Sequence, residues 1–367
     1  MKKRKIALLT MHQVKNYGSV LQTLATKALF ESYDYNVEVI DFRRKWETPF
    51  GYWFCIPEKN AKDVLRQIMY FPSKVIQYFV FGRFLKDYIK LTPNVYTCAN
   101  DFKKYPIQAD VFCTGSDQVW NSGWNHGVIE EYYLSFTDSP NKIAYAASIG
   151  KNEIDNFEKE QVIPYLKKYK YITVREKSSV ELINSMIGDG AQLVLDPTLQ
   201  ITRANWEELI DCRKRIRSNY VLLIQLNRNH EFDEYAIKFA KKHNKNLLRL
   251  CLRVDQMVLP GKSVIIPKVE DYINLIKYAD FVLTDSFHAI SFSLNFGKQF
   301  LCVLPSTYST RLKSILDLTM LTNRIVENYQ VYDYTPIDYE RVNSIIDLAR
   351  QTSKKYIDCM LEEINQQ

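Results

Sequence analysis

Short apolar, β-branched runs alternate with amphipathic stretches along the whole chain. Residues 5–10 (KIALLT) predict a strand, 19–33 a helix and 37–42 (VEVIDF) the next strand, completing a first βαβ unit. Further strands are predicted at 111–116, 143–149, 171–175 and 193–195, with helices at 154–168 and 177–186. A second series follows Pro197. Its predicted strands are 220–226, 247–253, 263–267, 281–285 and 300–304; its helices are 232–243, 269–278, 311–316 and a long terminal one at 341–364. Two alternating series predict an α/β protein with two parallel-sheet domains, the boundary falling in 198–219. Ligands of such folds sit beyond the C-terminal ends of the strands, so the loops after strands carry most interest. One segment stays open. Ile290, Phe292, Leu294 and Phe296 alternate with Ser291, Ser293 and Asn295 as in a strand, yet Asp285 and Ser286 could cap a helix.

Composition narrows the class. The chain has 367 residues, 46% apolar and 25% charged, as expected of a folded globular protein of about two domains. Its 11 Gly fall in no GxGxxG or GxxxxGK[ST] pattern, which excludes the standard dinucleotide and P-loop fingerprints. Seven Cys show no CxxC and no Cys/His cluster, so a zinc ribbon or disulfide scaffold is not expected and a reducing compartment is. HExxH, GxSxG and DxD are absent, leaving zinc proteolysis, ordinary serine hydrolysis and Asp-x-Asp metal binding without support. MKKRK opens like a secretory leader, but the apolar run stops at His12 and Gln13. No 18-residue apolar run follows, so a cytoplasmic protein is expected.

Charge singles out one region. Of a net +7, residues 59–104 supply nine Lys/Arg against three Asp/Glu. Twelve of the residues 46–90 are aromatic, and the apolar positions predict two short amphipathic helices split at Pro72. Such a surface suits anionic lipid headgroups. A helical insertion covering the sheet, or a dimer contact, reads the same pattern. No nucleic-acid module is present to favour that partner.

Five clusters after predicted strands hold polar residues that a plain loop does not need. In HQVKNYGSVLQ (12–22), Gly18 permits a tight turn, while Asn16, Tyr17 and Gln22 offer amide and phenol partners to a hydroxyl-rich ligand. The same stretch also reads as a capped turn. In TGSDQVWN (114–121), Gly115, Ser116, Asp117, Gln118, Trp120 and Asn121 suit a sugar, with Trp120 as the apolar platform; a helix cap plus a surface Trp is the alternative. Arg175 in TVREKS (173–178) carries a planar fork for a carboxylate or phosphate, or else makes a structural ion pair with a neighbour such as Glu176. In TDSFHA (284–289), Asp285 can tune His288 as a general acid; a core His beside a capping Asp is the other reading. STYSTRLKS (306–314) sets Ser309 and Thr310 at a helix start with Arg311 and Lys313 following, a plausible anion site.

The matching stretches are KIALLTMHQVKNYGSVLQ (5–22), VEVIDF (37–42), ADVFCTGSDQVWN (109–121), KIAYAASIG (142–150), ITVREKSSVELI (172–183), LVLDPTL (193–199) and ADFVLTDSFHAISFSLNFGKQF (279–300). In this order they resemble the polysaccharide pyruvyl transferase family, with a weaker tail from Arg311 to Arg324 and divergence at 46–104 and 200–278. The resemblance implies two Rossmann-like domains facing a central cleft, as in GT-B glycosyltransferases. Expected extents are 1–205 on the acceptor side, with 46–104 as a helical insertion, and 206–335 on the donor side. The remainder, 336–367, is expected as a helix packing back on the first domain. It also implies transfer of the enolpyruvyl group of phosphoenolpyruvate onto two sugar hydroxyls, giving a cyclic pyruvate ketal and releasing phosphate. No metal and no cofactor beyond that donor substrate is implied.

His288 matches the family's His as general acid, with Asp285 and Arg175 as further catalytic candidates. The implied donor set is Arg175, Ser286, His288, Ser309, Arg311 and Lys313. The implied acceptor set is Asn16, Tyr17, Gly18 and Gln22 with Gly115, Ser116, Asp117, Gln118, Trp120 and Asn121. The acceptor would be a saccharide, commonly lipid-linked, handled at the inner face of a membrane in capsule or exopolysaccharide assembly. Some members carry Arg two residues before the His; here Ser286 stands there, and Ala289 replaces the Gly after the His. A nucleotide-sugar glycosyltransferase and a non-catalytic binding protein of polysaccharide assembly are the alternatives.

Overall fold

Runs of apolar residues become strands covered on both faces. Ile6 to Leu9, Val111 and Val221 to Leu223 have no exposed surface, the double-sided burial that parallel sheets require. The computed structural model of the chain describes residues 3–54, 61–210, 219–306, 309–330 and 334–366, the side chains of 61–63 excepted.

The chain divides into two units. In the first, β1 (Lys5–Leu9), β2 (Asn36–Phe42), β3 (Leu91–Tyr96), β4 (Val111–Thr114), β5 (Lys142–Ala147), β6 (Tyr171–Val174) and β7 (Ala191–Leu193) form one sheet. Its order is β3-β2-β1-β4-β5-β6-β7, and every neighbouring pair is parallel. In the second, β8 (Tyr220–Ile224), β9 (Asn246–Cys251), β10 (Lys262–Ile265), β11 (Phe281–Thr284) and β12 (Gln299–Cys302) form a parallel sheet of order β10-β9-β8-β11-β12. Both are doubly wound sheets in which strand order reverses once, between β1 and β4 and between β8 and β11.

Three expectations change. The open segment is a helix, Phe287–Asn295, buried from Phe287 through Leu294. Its alternating polar positions do not face water: Ser291 and Ser293 donate to the carbonyls of Phe287 and Ala289, at 3.2 and 2.7 Å. Internal satisfaction of the hydroxyls lets a helix bury all its faces. Residues 61–88 form one helix, Ala61–Tyr88, with Pro72 inside it. Pro72 lies on the exposed side, where water can take the carbonyl it leaves unbonded.

Residues 46–104 are also not one insertion on the first unit. Trp53–Phe84 group with the second unit, where Gln77 donates to the Leu252 carbonyl (2.8 Å) and Ser73 Oγ accepts from Val254 N–H (2.9 Å). Leu91–Tyr96, unforeseen, is the edge strand of the first sheet, a place that tolerates Pro93. The first unit ends at Ile201, inside the anticipated boundary region, of which 211–218 lie outside the described residues.

The terminal helix Tyr339–Asn365 counts with the first unit from Ile346 on. Arg4 donates to the Ile364 carbonyl (2.7 Å), Tyr33 to Asp358 (2.7 Å), and Leu195 N–H to Ser353 Oγ (2.9 Å).

Candidate functional site

Two polar loops meet at each sheet's topological switch point. In the first unit these are the loops after β1 and β4, which carry 12–22 and 114–121. In the second they are the loops after β8 and β11, which carry 225–229 and 284–289.

In the first unit the polar residues are largely spent on one another. Asn16 Oδ1 caps the helix Tyr17–Glu31 by accepting from Gly18 N–H (2.8 Å). Gln22 has no exposed surface; its amide donates to Thr10 Oγ1 (2.9 Å), and Thr10 Oγ1 donates to the Ser116 carbonyl (2.6 Å). Gly115 lets the two loops close: a Cβ there would stand 2.8 Å from Leu8 Cδ1 and 3.1 Å from Thr10 Cβ. Asp117 holds φ at +81°, a strained value for a residue with a side chain. Ser19 Oγ donates to its carboxylate at 2.6 Å and Gln118 N–H at 2.9 Å. Asn121 donates to Gln118 Oε1 (2.6 Å) and accepts from Trp124 N–H (3.1 Å).

Arg175 is the hub of this network. Its guanidinium donates to Asp196 (2.5 Å), Asp117 (3.1 Å) and Ser116 Oγ (3.2 Å), and its side chain is wholly buried. Burial alone would discourage the charge; Asp196, Asp117 and Glu176 more than offset that and raise its pKa. This corrects the donor-binding and catalytic expectations for Arg175. A fork already engaged by two buried carboxylates is a positioning group for the loop after β4. Trp120 is corrected as well. It is 2% exposed, donates from Nε1 to the Tyr132 carbonyl (3.1 Å) and stacks on Tyr133 at 5.3 Å, so it presents no face to a sugar. Tyr17 and Gly18 are buried, and Asn16 is half-buried.

A second cluster in this unit escaped the sequence reading. Asp41, at the end of β2, accepts from Gln13 Nε2 (3.0 Å) and from the Arg43 fork (2.9 and 2.7 Å), with His12 Nε2 at 3.2 Å. Burial opposes its charge, but His12 and Arg43 hold its carboxyl well below the usual range. Lys15 lies in the same loop, 3.3 Å from Gln13 Oε1, and burial pushes its pKa down to about 8. The available signal was an Asp closing a buried apolar strand.

In the second unit Asp285 spans the switch point. Its carboxylate accepts from Leu226 N–H (2.7 Å), Asn227 N–H (2.8 Å) and Asn227 Nδ2 (3.0 Å). Burial raises its pKa and those hydrogen bonds oppose the rise. Asp285 was expected to orient His288; the bonds described for its carboxylate tie the loop after β11 to the loop after β8.

Ser286 Oγ caps the following helix by accepting from Ala289 N–H (3.4 Å), which places His288 in the first turn. The imidazole, 7% exposed, meets the edge of Phe287 at 5.2 Å, and the Arg311 guanidinium lies 5.9 Å from the same ring. His288 and Arg311 thus lie against one aromatic side chain. Ser309 immediately precedes the helix Thr310–Leu318, its side chain making no capping bond. Lys313 is exposed and two residues beyond Arg311, on the opposite side of that helix, so it does not share Arg311's target. Asn227 and Asn229 were missed, although they directly follow a buried apolar run. Asn229 caps the helix His230–Lys242 through Phe232 N–H (3.0 Å) and donates to Tyr329 Oη (2.7 Å).

Solved structures that align over nearly the whole chain are distant in sequence. An alpha-glucosyltransferase in complex with UDP-glucose and DNA containing an abasic site aligns with TM-score 0.49 at 7% identity, covering 98% of this chain and 100% of that one. UDP-N-acetylglucosamine 2-epimerase from Rickettsia bellii aligns at 0.49 and 10% identity, covering 100% and 98%. Arabidopsis thaliana UGT89C1 complexed with UDP-L-rhamnose aligns at 0.48 and 11% identity, covering 100% and 96%. No curated protein sequence matches the chain. The polysaccharide pyruvyl transferase family model matches residues 16–307, a span that takes in both switch points, and the chain belongs to that family.

Proposed function

We propose that this family member transfers the enolpyruvyl group of phosphoenolpyruvate onto two hydroxyls of one sugar, forming a cyclic pyruvate ketal and releasing phosphate. The observation that carries the reading is His288 in the first turn of a capped helix at the second switch point, with Arg311 against the same Phe287 ring. Helix amides and a guanidinium suit a donor bearing a carboxylate and a phosphate.

The chemistry balances without a redox partner. Protonated His288 delivers a proton to the donor's methylene carbon, which becomes a methyl group and leaves an oxocarbenium-like C2. The first sugar hydroxyl adds to C2 and loses its proton. The C2–O bond to phosphate then breaks, and phosphate departs with the electron pair. The second hydroxyl adds to the same carbon and loses its proton, closing the ring. Asp285 and Ser286 act by positioning, through the loop tie and the helix cap. Arg175 positions the first-unit loop, and no step requires it to touch the donor.

The acceptor is a saccharide, in this reading a lipid-linked unit of capsule or exopolysaccharide assembly. Asn16 is the acceptor candidate with polar surface to spare; Gln22, Ser116, Asp117, Gln118 and Asn121 shape its surroundings.

The test is phosphate release from phosphoenolpyruvate with galactose, glucose and N-acetylmannosamine glycosides on a lipid-like aglycone. Acceptor-dependent release, lost in His288→Ala, is expected. No release with any of them, together with stabilisation by a uridine diphosphate sugar but not by phosphoenolpyruvate, would replace this reading with nucleotide-sugar glycosyl transfer.

A further inference from the structure

The helix Ala61–Tyr88 has two apolar sides, and only one is used within the protein. On the inner side Phe81 and Phe84 are 1% and 0% exposed, Ser73 and Gln77 bond the backbone of 252–254, and Tyr70 lies under the Arg253 guanidinium at 4.7 Å. The outer side carries Leu65, Ile68, Met69 and Phe79, which are 68%, 66%, 50% and 68% exposed. With Pro72 and Ile76 they recur at three- and four-residue intervals, a single stripe on a 3.6-residue helix. It runs about 20 Å along the axis at 1.5 Å per residue. Exposed Phe54 adds to the apolar surface of the same unit.

Charge selects the occupant. Along the helix Ala61–Tyr88 the sequence sets Lys62, Arg66, Lys74, Arg83 and Lys86 against Asp63 and Asp87, an excess of three positive charges. Arg83 and Lys86 continue the outer side beyond Phe79, Arg83 reaching back to Glu270 and Lys86 exposed. Pairing two copies through this face would set like net charges against each other. An anionic bilayer surface satisfies both halves of the pattern, taking the apolar side chains at the acyl boundary and the cations at the headgroups. Among the described residues no helix is long and apolar enough to cross a membrane.

We propose that the outer face of this helix is a docking surface for anionic lipid headgroups, seating the protein on a bilayer without spanning it. This goes beyond the transfer reaction and stands or falls apart from it.

The test is flotation of the whole chain with phosphatidylcholine vesicles, with and without phosphatidylglycerol. Wild type should bind the phosphatidylglycerol vesicles preferentially and weaken with added salt. Each cation near such a surface is worth about a fivefold change in partitioning, so K86E should erase much of the preference. L65S/I68S/F79S should lower binding at least about tenfold, as its exposed apolar side chains lose their burial in the bilayer. Both variants should keep the wild-type Tm, and phosphate release with a water-soluble acceptor should not change. Equal binding to both vesicle types, or undiminished binding by the triple variant, overturns the proposal. A concentration-dependent dimer in sedimentation that the triple variant abolishes, without vesicle binding, overturns it in favour of a second copy.

Discussion

The two switch points share a strand order and differ in how their polar residues are used. At the first, Asp117, Asp196, Ser116 and Arg175 are bonded to each other, and Gln22, Ser19 and Thr10 complete the net. At the second, one carboxylate, Asp285, ties two loops together, and His288 stands in the first turn of the adjacent helix. A cluster of Asp, Ser, Gln and Arg after a strand is therefore not chemistry by itself. What matters is whether the groups face one another or a place a ligand can reach.

The largest expected effect breaks the second half of this contrast. His288→Ala should lower acceptor-dependent phosphate release by about 10²–10⁴-fold, the usual worth of a general acid. Its Tm, read alongside, separates loss of the acid from loss of the fold. His288→Gln, which keeps the polar volume but not the acid, should be as inactive. Full activity in either variant would remove His288 from the reaction.

Arg175→Met tests the first half. Removing the guanidinium strands Asp117 and Asp196 without their cation, and breaking a buried pair in this way costs about 3–5 kcal/mol. Arg175→Lys should recover little, because a point charge cannot serve two carboxylates as a fork does. In urea denaturation, Arg175→Met combined with Asp196→Asn should cost less than the sum of the two single changes. Wild-type stability in Arg175→Met with lost activity would return Arg175 to the donor.

These two residues also show what was legible in the chain. Central strands were readable because burial on both faces leaves uninterrupted apolar runs such as IALL and YVLLI. The edge strand Leu91–Tyr96 was not, because Thr92, Pro93 and Asn94 belong to a strand with one free side. The helix Phe287–Asn295 defeated periodicity because it is buried all round. His288 could be singled out as a candidate from its own short motif. The role of Arg175 was not, since its partners lie 21 residues downstream and 58 upstream, and only the sheet order brings them together. Trp120 misled for the same reason: its polar neighbours in sequence are not its neighbours in the core, which are Tyr133 and Tyr169.

A smaller effect is expected at Asp285. Asp285→Ala leaves two backbone N–H groups of the loop after β8 without their acceptor, a loss of about 1–3 kcal/mol. If Asp285 acts by holding that loop, the variant should lose stability and part of its activity while keeping the wild-type shape of the pH–rate profile. A changed profile would mean the carboxyl is itself a proton donor or acceptor, and the contrast between positioning and chemistry at this switch point would have to be redrawn.

The smallest effect lies at Lys15, in the first-unit loop, and its sign is fixed by linkage. Burial lowers the folded-state pKa to about 8, whereas the unfolded chain titrates near 10.4. Between those values the unfolded state holds more protons, so wild-type stability should rise as pH increases from about 8 toward 10. Lys15→Met has no such group, and at pH 7 it avoids the cost of holding a charge out of water. The variant should therefore be the more stable protein at neutral pH, by an amount of order 1 kcal/mol given the partial solvation of the ammonium. That advantage should shrink through the alkaline window. Parallel Tm curves for the two proteins from pH 7 to 10 would show that Lys15 is as well solvated folded as unfolded. The loop after β1 would then be an open polar surface, closer in character to the second switch point than the bonded net beside it suggests.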